Sequence, residues 1–290
     1  SDTLKFNESC TEGEREILVL LELKKIPVLV LSSSSRRQLY PREEMAGESS
    51  LKLFFLDPED YLFAKGYLVN IGYETDTLYP GVGEKMRIPG RFSVEIYDTF
   101  PFKTQVYQKG MGKLLQRTFL KENENYIYEW KIIDQLVYLM VQSSYLYVTG
   151  HLQIRHLADL YVFYRKTAAE NQLQDLEDRL KEFKVNILAQ KLLHLSYMWF
   201  GTREECASME TKEEELQVFD ILEKNVFYGM TGKFGPETDE QALDLRSDIL
   251  KEEEWENRME KRALFYRRLR EFFSLVHRQL KELYDIWFSR

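Results

Sequence analysis

Hydrophobic positions along the chain change their rhythm near residue 110. Before it, apolar residues come in short bursts. Ile17, Leu18, Leu20, Leu21 and Leu23 follow an acidic start at helical spacing, which predicts a helix over residues 11–25 feeding the β-branched strand "IPVLVL". Ser32 to Ser35, with Arg36 and Arg37, then lead into "QLYPREEMAGESS", where Pro41 and Gly47 predict a loop. "LKLFFL" predicts a short buried strand, and a helix begins at the acids behind it. "IGYETDTLY" and "EKMRIPGRFSVEIYDTF" have the composition of strands, separated by Gly81, Gly83 and a Pro89-Gly90 turn. From Lys113 onward the spacing is helical in "EWKIIDQLVYLMVQSSYLYV", "LQIRHLADLYVFYRKTAAE", "LQDLEDRLKEFKVNILAQKLLHLSYMWF", "KEEELQVFDILEKNVFYGM" and the long run over residues 250–288. "MTGKFGPETDEQALD" breaks it as a loop. The pattern predicts a small unit of mixed α and β structure over residues 1–110 and a helical domain over residues 111–290.

Two groups of acids stand next to predicted strands. Asp57 precedes Pro58, Glu59 and Asp60, an arrangement that caps a helix with proline at its first position and places negative charge in its first turn. In "FSVEIYDTF" the alternation puts Phe92, Val94, Ile96 and Asp98 on one face and Ser93, Glu95, Tyr97 and Thr99 on the other. Glu95 in mid-strand is costly if buried without partners. It either faces water or sits in a polar pocket.

Charge and cysteine usage narrow the function classes. A net charge of −8 and a pI near 5.3 argue against broad phosphate-driven binding of nucleic acid, while a nucleotide pocket needs only a few cations. Cys10 and Cys206 are far apart and fit no metal spacing, as expected of a reduced, cytoplasmic protein. The longest apolar runs are cut by Glu22, Lys24 and Lys25, well short of the roughly 20 residues of a membrane span. No basic and then apolar leader is visible at the start. His151, His156, His194 and His277 form no zinc pattern, and no Walker A, GxSxG or GxGxxG string occurs. The basic and aromatic run near the C-terminus mixes acids with its bases, which predicts an amphipathic helix packed on its own domain.

Six segments stand in a distinctive order: "KKIPVLVLSSSSRRQLYP" at 24–41, "LKLFFLDPEDY" at 51–61, "IGYE" at 71–74 and "VEIYDTF" at 94–100, then "GHLQIRHLADLYVFYR" at 150–165 and "FYGMTGKFG" at 227–235. Their order resembles a bacterial family of uncharacterised nucleotidyltransferases within the polymerase-β-type superfamily. The resemblance covers most of the chain. It implies an α+β fold, a nucleotidyltransferase-like mixed β-sheet with flanking helices, followed by an all-helical C-terminal region. It also implies a chemistry in which a DxD pair and a third carboxylate hold two divalent metals against a nucleoside triphosphate.

Measured against that pattern, the chain departs at its acids. Leu51 and Leu53 match the DxD positions and can coordinate no metal, so none is expected. Glu95 matches the third carboxylate, Tyr97 stands where the family has His, and Ser32 and Ser33 stand where it has Lys-Gly. Ser32, Ser33, Ser34 and Arg36 are the candidate binding residues, since hydroxyls in such a turn hydrogen-bond phosphate, although a solvated turn explains them too. Arg155 and Asp159, four apart on a helix, read as a structural pair or as ties to neighbouring helices. The expectation is a catalytically inactive cytoplasmic protein with no cofactor. It would bind a protein, small molecule or nucleotide in or near the old cleft, away from membranes and nucleic acid. Two alternatives stand beside it. One is an active transferase using Mg2+ and NTP with rearranged acids, Asp57 with Glu95 or Asp98. The other is a helical interaction module.

Overall fold

In the computed structural model the described residues are 2–42, 46, 50–79, 82–88, 93–102, 104–170, 172–202, 204–205, 219–220, 222–227 and 247, with the side chains of residues 2–9 and 35 excepted. The expectations placed on Gly47, Gly81, the Pro89-Gly90 turn, Phe92, Cys206, the loop at 230–244, the 228–235 motif, the run at 250–288 and His277 lie outside the described residues. Residues Ser1–Asp244 form one compact unit and Leu245–Arg290 a second. Everything that follows concerns the first.

The elements run α1 (Asp2–Leu23), β1 (Val28–Ser32), a 3-10 turn (Ser34–Leu39), β2 (Leu51–Phe54), α2 (Pro58–Asn70), β3 (Glu74–Tyr79), β4 (Gly83–Arg87), β5 (Ser93–Tyr97) and α3 (Gln105–Leu115). A short hairpin, β6 (Phe119–Leu120) and β7 (Ile127–Glu129), precedes α4 (Ile132–Val148), α5 (Ile154–Ala169), α6 (Leu176–Lys181) and α7 (Asn186–Phe200). The strands make one seven-stranded sheet in the order β3-β4-β5-β2-β1-β7-β6. It is mixed: β2 is parallel to β5 and β1 to β7, and the other neighbours are antiparallel. This is the α+β architecture with flanking helices that the resemblance implied.

The acids behind β2 do what their order predicts. Asp57 caps α2 by accepting the Glu59 N–H at 2.8 Å, with Pro58 at the first helical position. Cys10, Ile17 and Leu21 of α1 and Tyr61, Ala64 and Leu68 of α2 pack with Val28, Leu51, Leu53, Met86, Val94, Ile96 and Ile127 from five strands, giving one apolar core against the sheet. Helices α4, α5 and α7 pack on one another, with α6 against α4 and α7.

Three features depart from the predicted pattern. β6 and β7 fall beyond residue 110, in the stretch read as helical, and β7 pairs with β1 in the middle of the chain's first strand segment. They are too short, two and three residues, to show a period of two. Helix α3 is not predicted either, although Tyr107, Gly110, Met111 and Leu114 recur at helical spacing on its buried face. The single helical run expected over residues 173–200 is split into α6 and α7. Lys184 takes a left-handed conformation at φ 54°, while Phe183 and Val185 on either side are buried.

Candidate functional site

β2 and β5 set the geometry. Their parallel register places Leu51 beside Val94, Lys52 beside Glu95, Leu53 beside Ile96 and Phe54 beside Tyr97. Side chains alternate along a strand, and partners in register share a face. Leu51 and Leu53 therefore belong to the core side with Val94 and Ile96, at 0% and 1% exposure, and look away from Glu95. The residues that meet Glu95 are Lys52 of β2 and Ser50 just ahead of it.

Glu95 is 6% exposed, and both its carboxylate oxygens have partners. Oε1 accepts from Ser50 Oγ at 2.7 Å. Oε2 lies 3.1 Å from Lys52 Nζ and also accepts from the Tyr97 hydroxyl. Burial pushes the carboxyl up, but the Lys52 ammonium and the hydrogen bonds from Tyr97 and Ser50 outweigh it and hold Glu95 below the usual carboxylate range. Of the two environments open to this residue, the structure has the polar pocket. Gly83, opposite Tyr97, makes room for it: a Cβ there would meet Ile96 O at 2.2 Å and the Tyr97 ring at 2.8 Å.

A second cluster faces this one from the helical layer. Asp159 on α5 receives both the Arg36 guanidinium and the Tyr40 hydroxyl. Asp159 thus ties α5 to the 3-10 helix after β1 and does not pair with Arg155. Arg36 also lies over the Phe163 ring, 5.6 Å from its centre. Arg155 is exposed and makes no ion pair with a described residue. Burial, and then the charges of Arg155, Lys52 and Arg36, pull His156 down to about 4, so its imidazole is neutral at neutral pH. Its Nδ1 accepts the Gln153 N–H at 3.0 Å. Tyr138 on α4 bridges the clusters electrically: burial and Glu95 raise its hydroxyl well above the usual range, against Arg36.

Ser32, Ser33 and Arg36 line a cavity of about 200 Å³ together with Glu129, Gln135 and Tyr138. The structure brings those three predicted binding residues together at one end of β1. Ser34 is placed otherwise. Its N–H donates to Glu14 Oε2 of α1 at 2.8 Å, and burial raises the Glu14 carboxyl against the opposing pull of Ser34 and Arg37.

The metal pair that the resemblance implies asks for clustered carboxylates. The residues present do not fit it, because Glu95 is one acid among Ser50, Lys52 and Tyr97, and its nearest cation is an ammonium. Among the described residues no group of three or more His, Cys, Asp or Glu is placed to hold a metal ion. Asp57 is engaged as the α2 cap, and Asp98 is exposed and accepts from Thr99 Oγ1 at 3.3 Å.

Sequence reasoning missed Ser50, Lys52, Tyr40, Tyr138 and His156. The available signal for the first two was the period of two: if Glu95 faces a site, the facing pair on β2 is fixed by register as 50 and 52.

A family model described as uncharacterised nucleotidyltransferase matches residues 2–201. No curated protein and no solved structure matches the chain. The matched residues contain all seven strands and α1 to α7, and with them both polar clusters. On that span the chain belongs to the uncharacterised nucleotidyltransferase family.

Proposed function

We propose that this protein keeps the nucleotidyltransferase fold without its transfer chemistry and uses the cavity at the end of β1, between the 3-10 turn, β7, α4 and α5, to bind an anionic small molecule or an anionic group of a partner. The observation that carries this reading is the state of Glu95, a carboxylate already neutralised by Lys52 and hydrogen-bonded by Ser50 and Tyr97. Three of the roughly four lone-pair sites of this carboxylate are taken, and its charge is already matched by an ammonium standing where a divalent ion would stand. Three cations converge on His156, of which Arg36 and Lys52 are neutralised and Arg155 is left facing water. Arg155, the exposed member of the three, is the cation that supports an anionic ligand. No cofactor enters this reading. A bacterial, cytoplasmic setting goes with it, on the strength of the resemblance and of Cys10, a buried free thiol.

The test is a transfer assay on the purified protein with radiolabelled nucleoside triphosphates, Mg2+ or Mn2+, and both protein and RNA acceptors. The expected result is no incorporation above background. Metal-dependent incorporation that is lost in E95Q would establish the active alternative in its place.

A further inference from the structure

We propose that the Lys52 ammonium is a built-in replacement for a divalent cation, and that Ser50 and Lys52 occupy the two places from which strand acids would share that cation with Glu95. This deepens the reading of an inactive cleft and rests on it.

Three observations converge. The parallel register of β2 and β5 puts Lys52 beside Glu95, and Ser50, just ahead of β2 and two residues before Lys52, reaches the same acid. Their side chains reach it: Ser50 Oγ is 2.7 Å from Oε1 and Lys52 Nζ is 3.1 Å from Oε2, so polar atoms of both converge on one carboxylate. The pair one step along, Leu51 and Leu53, is sealed in the core with α1 and α2, where an acid would lie in an apolar environment with no partner. A carboxylate site for a divalent ion on this strand is therefore open to positions 50 and 52 and closed to 51 and 53.

Charge accounts for the rest. A buried Glu95 needs a positive neighbour, and a lysine reaching from the adjacent strand supplies one permanently. Taking the ammonium away leaves a buried carboxylate with a vacancy beside it. Exchanging Ser50 and Lys52 for acids turns the same space into a three-carboxylate site.

The experiment is a titration of the full chain with Mn2+, followed by electron paramagnetic resonance and by the shift in thermal midpoint. Four proteins are compared: wild type, K52Q, S50D/K52D and S50D/K52D/E95Q. Wild type should show no saturable binding, whereas S50D/K52D should bind Mn2+ at least tenfold more tightly, with about tenfold lost again when E95Q is added. K52Q changes little in size and keeps the assay informative if the double variant does not fold. Mn2+ should raise the midpoint of K52Q and leave that of wild type unmoved, because binding to the folded state alone stabilises it. The proposal is overturned if wild type binds Mn2+ through Glu95 as tightly as the variants. It is equally overturned if K52Q gains no stabilisation from Mn2+ or if folded S50D/K52D binds no better than wild type. Nucleotide transfer by wild type is a separate outcome, which would sink the inactive reading whatever these titrations give.

Discussion

The two faces of β2 differ as much as any two surfaces in the molecule, although they are made by alternate residues of one four-residue strand. On one side Leu51 and Leu53 are sealed against α1 and α2. On the other, Lys52, with Ser50 just ahead, meets a buried carboxylate whose every oxygen is bonded. The contrast teaches that burial alone does not define a core. Glu95 is nearly as buried as the leucines, and it is held there by a matched charge and hydrogen bonds, with Phe54 supplying apolar area on the same face against Phe100.

The sharpest way to break the contrast is to carry polarity across the strand. L53D places a carboxylate among Val94, Ile96 and the α2 core, and the expected outcome is loss of the cooperative thermal transition, or a destabilisation of at least about 4 kcal/mol in urea. K52A comes next. It strands Glu95 without its ammonium, and the expected cost is about 3 kcal/mol by urea unfolding, with E95Q on top restoring part of it.

The pH dependence follows from the same pair. Glu95 titrates lower in the folded chain than in the unfolded one, so its stabilisation is fully present above the ordinary carboxylate value of about 4.3 and is lost as pH falls through the lower folded value. Thermal midpoints measured from pH 7 down to 3 should therefore fall less steeply in E95Q than in wild type below about pH 4.5. D57A, which removes the cap of α2 away from both faces, should cost about 1 kcal/mol in the same unfolding assay. R155A should leave stability within about 0.5 kcal/mol of wild type, since the side chain is exposed and makes no ion pair with a described residue. Its effect should appear as weaker binding of an anionic probe such as tripolyphosphate.

Much of the architecture was legible in the chain because its elements are long or sharply punctuated. "IPVLVL", "DPEDY" and the runs that became α4, α5 and α7 carry their own period or their own cap. The site was legible only in part. Glu95 stands out as an acid in mid-strand, but which residues of β2 face it depends on register between strands some forty residues apart, and no local pattern encodes that. The resemblance matched the DxD positions to Leu51 and Leu53, whereas the side chains that meet Glu95 are those of Ser50 and Lys52. Asp159 was equally opaque: its helical spacing offers Arg155, but its partners, Arg36 and Tyr40, come from a turn 119 residues away in the case of Tyr40.

The pairing of β7 with β1 has a consequence for how the chain comes into being. β1 emerges early in synthesis, yet its second neighbour is formed by residues 127–129, and the Glu22 carboxylate at the end of α1 holds the Asn125 and Tyr126 N–H groups of the same hairpin at 2.8 Å. Until the ribosome has passed that point, β1 is an open sheet edge with unsatisfied backbone groups. A nascent or proteolytic fragment ending at residue 110 should thus be sticky and prone to self-association, and one reaching past Trp130 should have that edge closed.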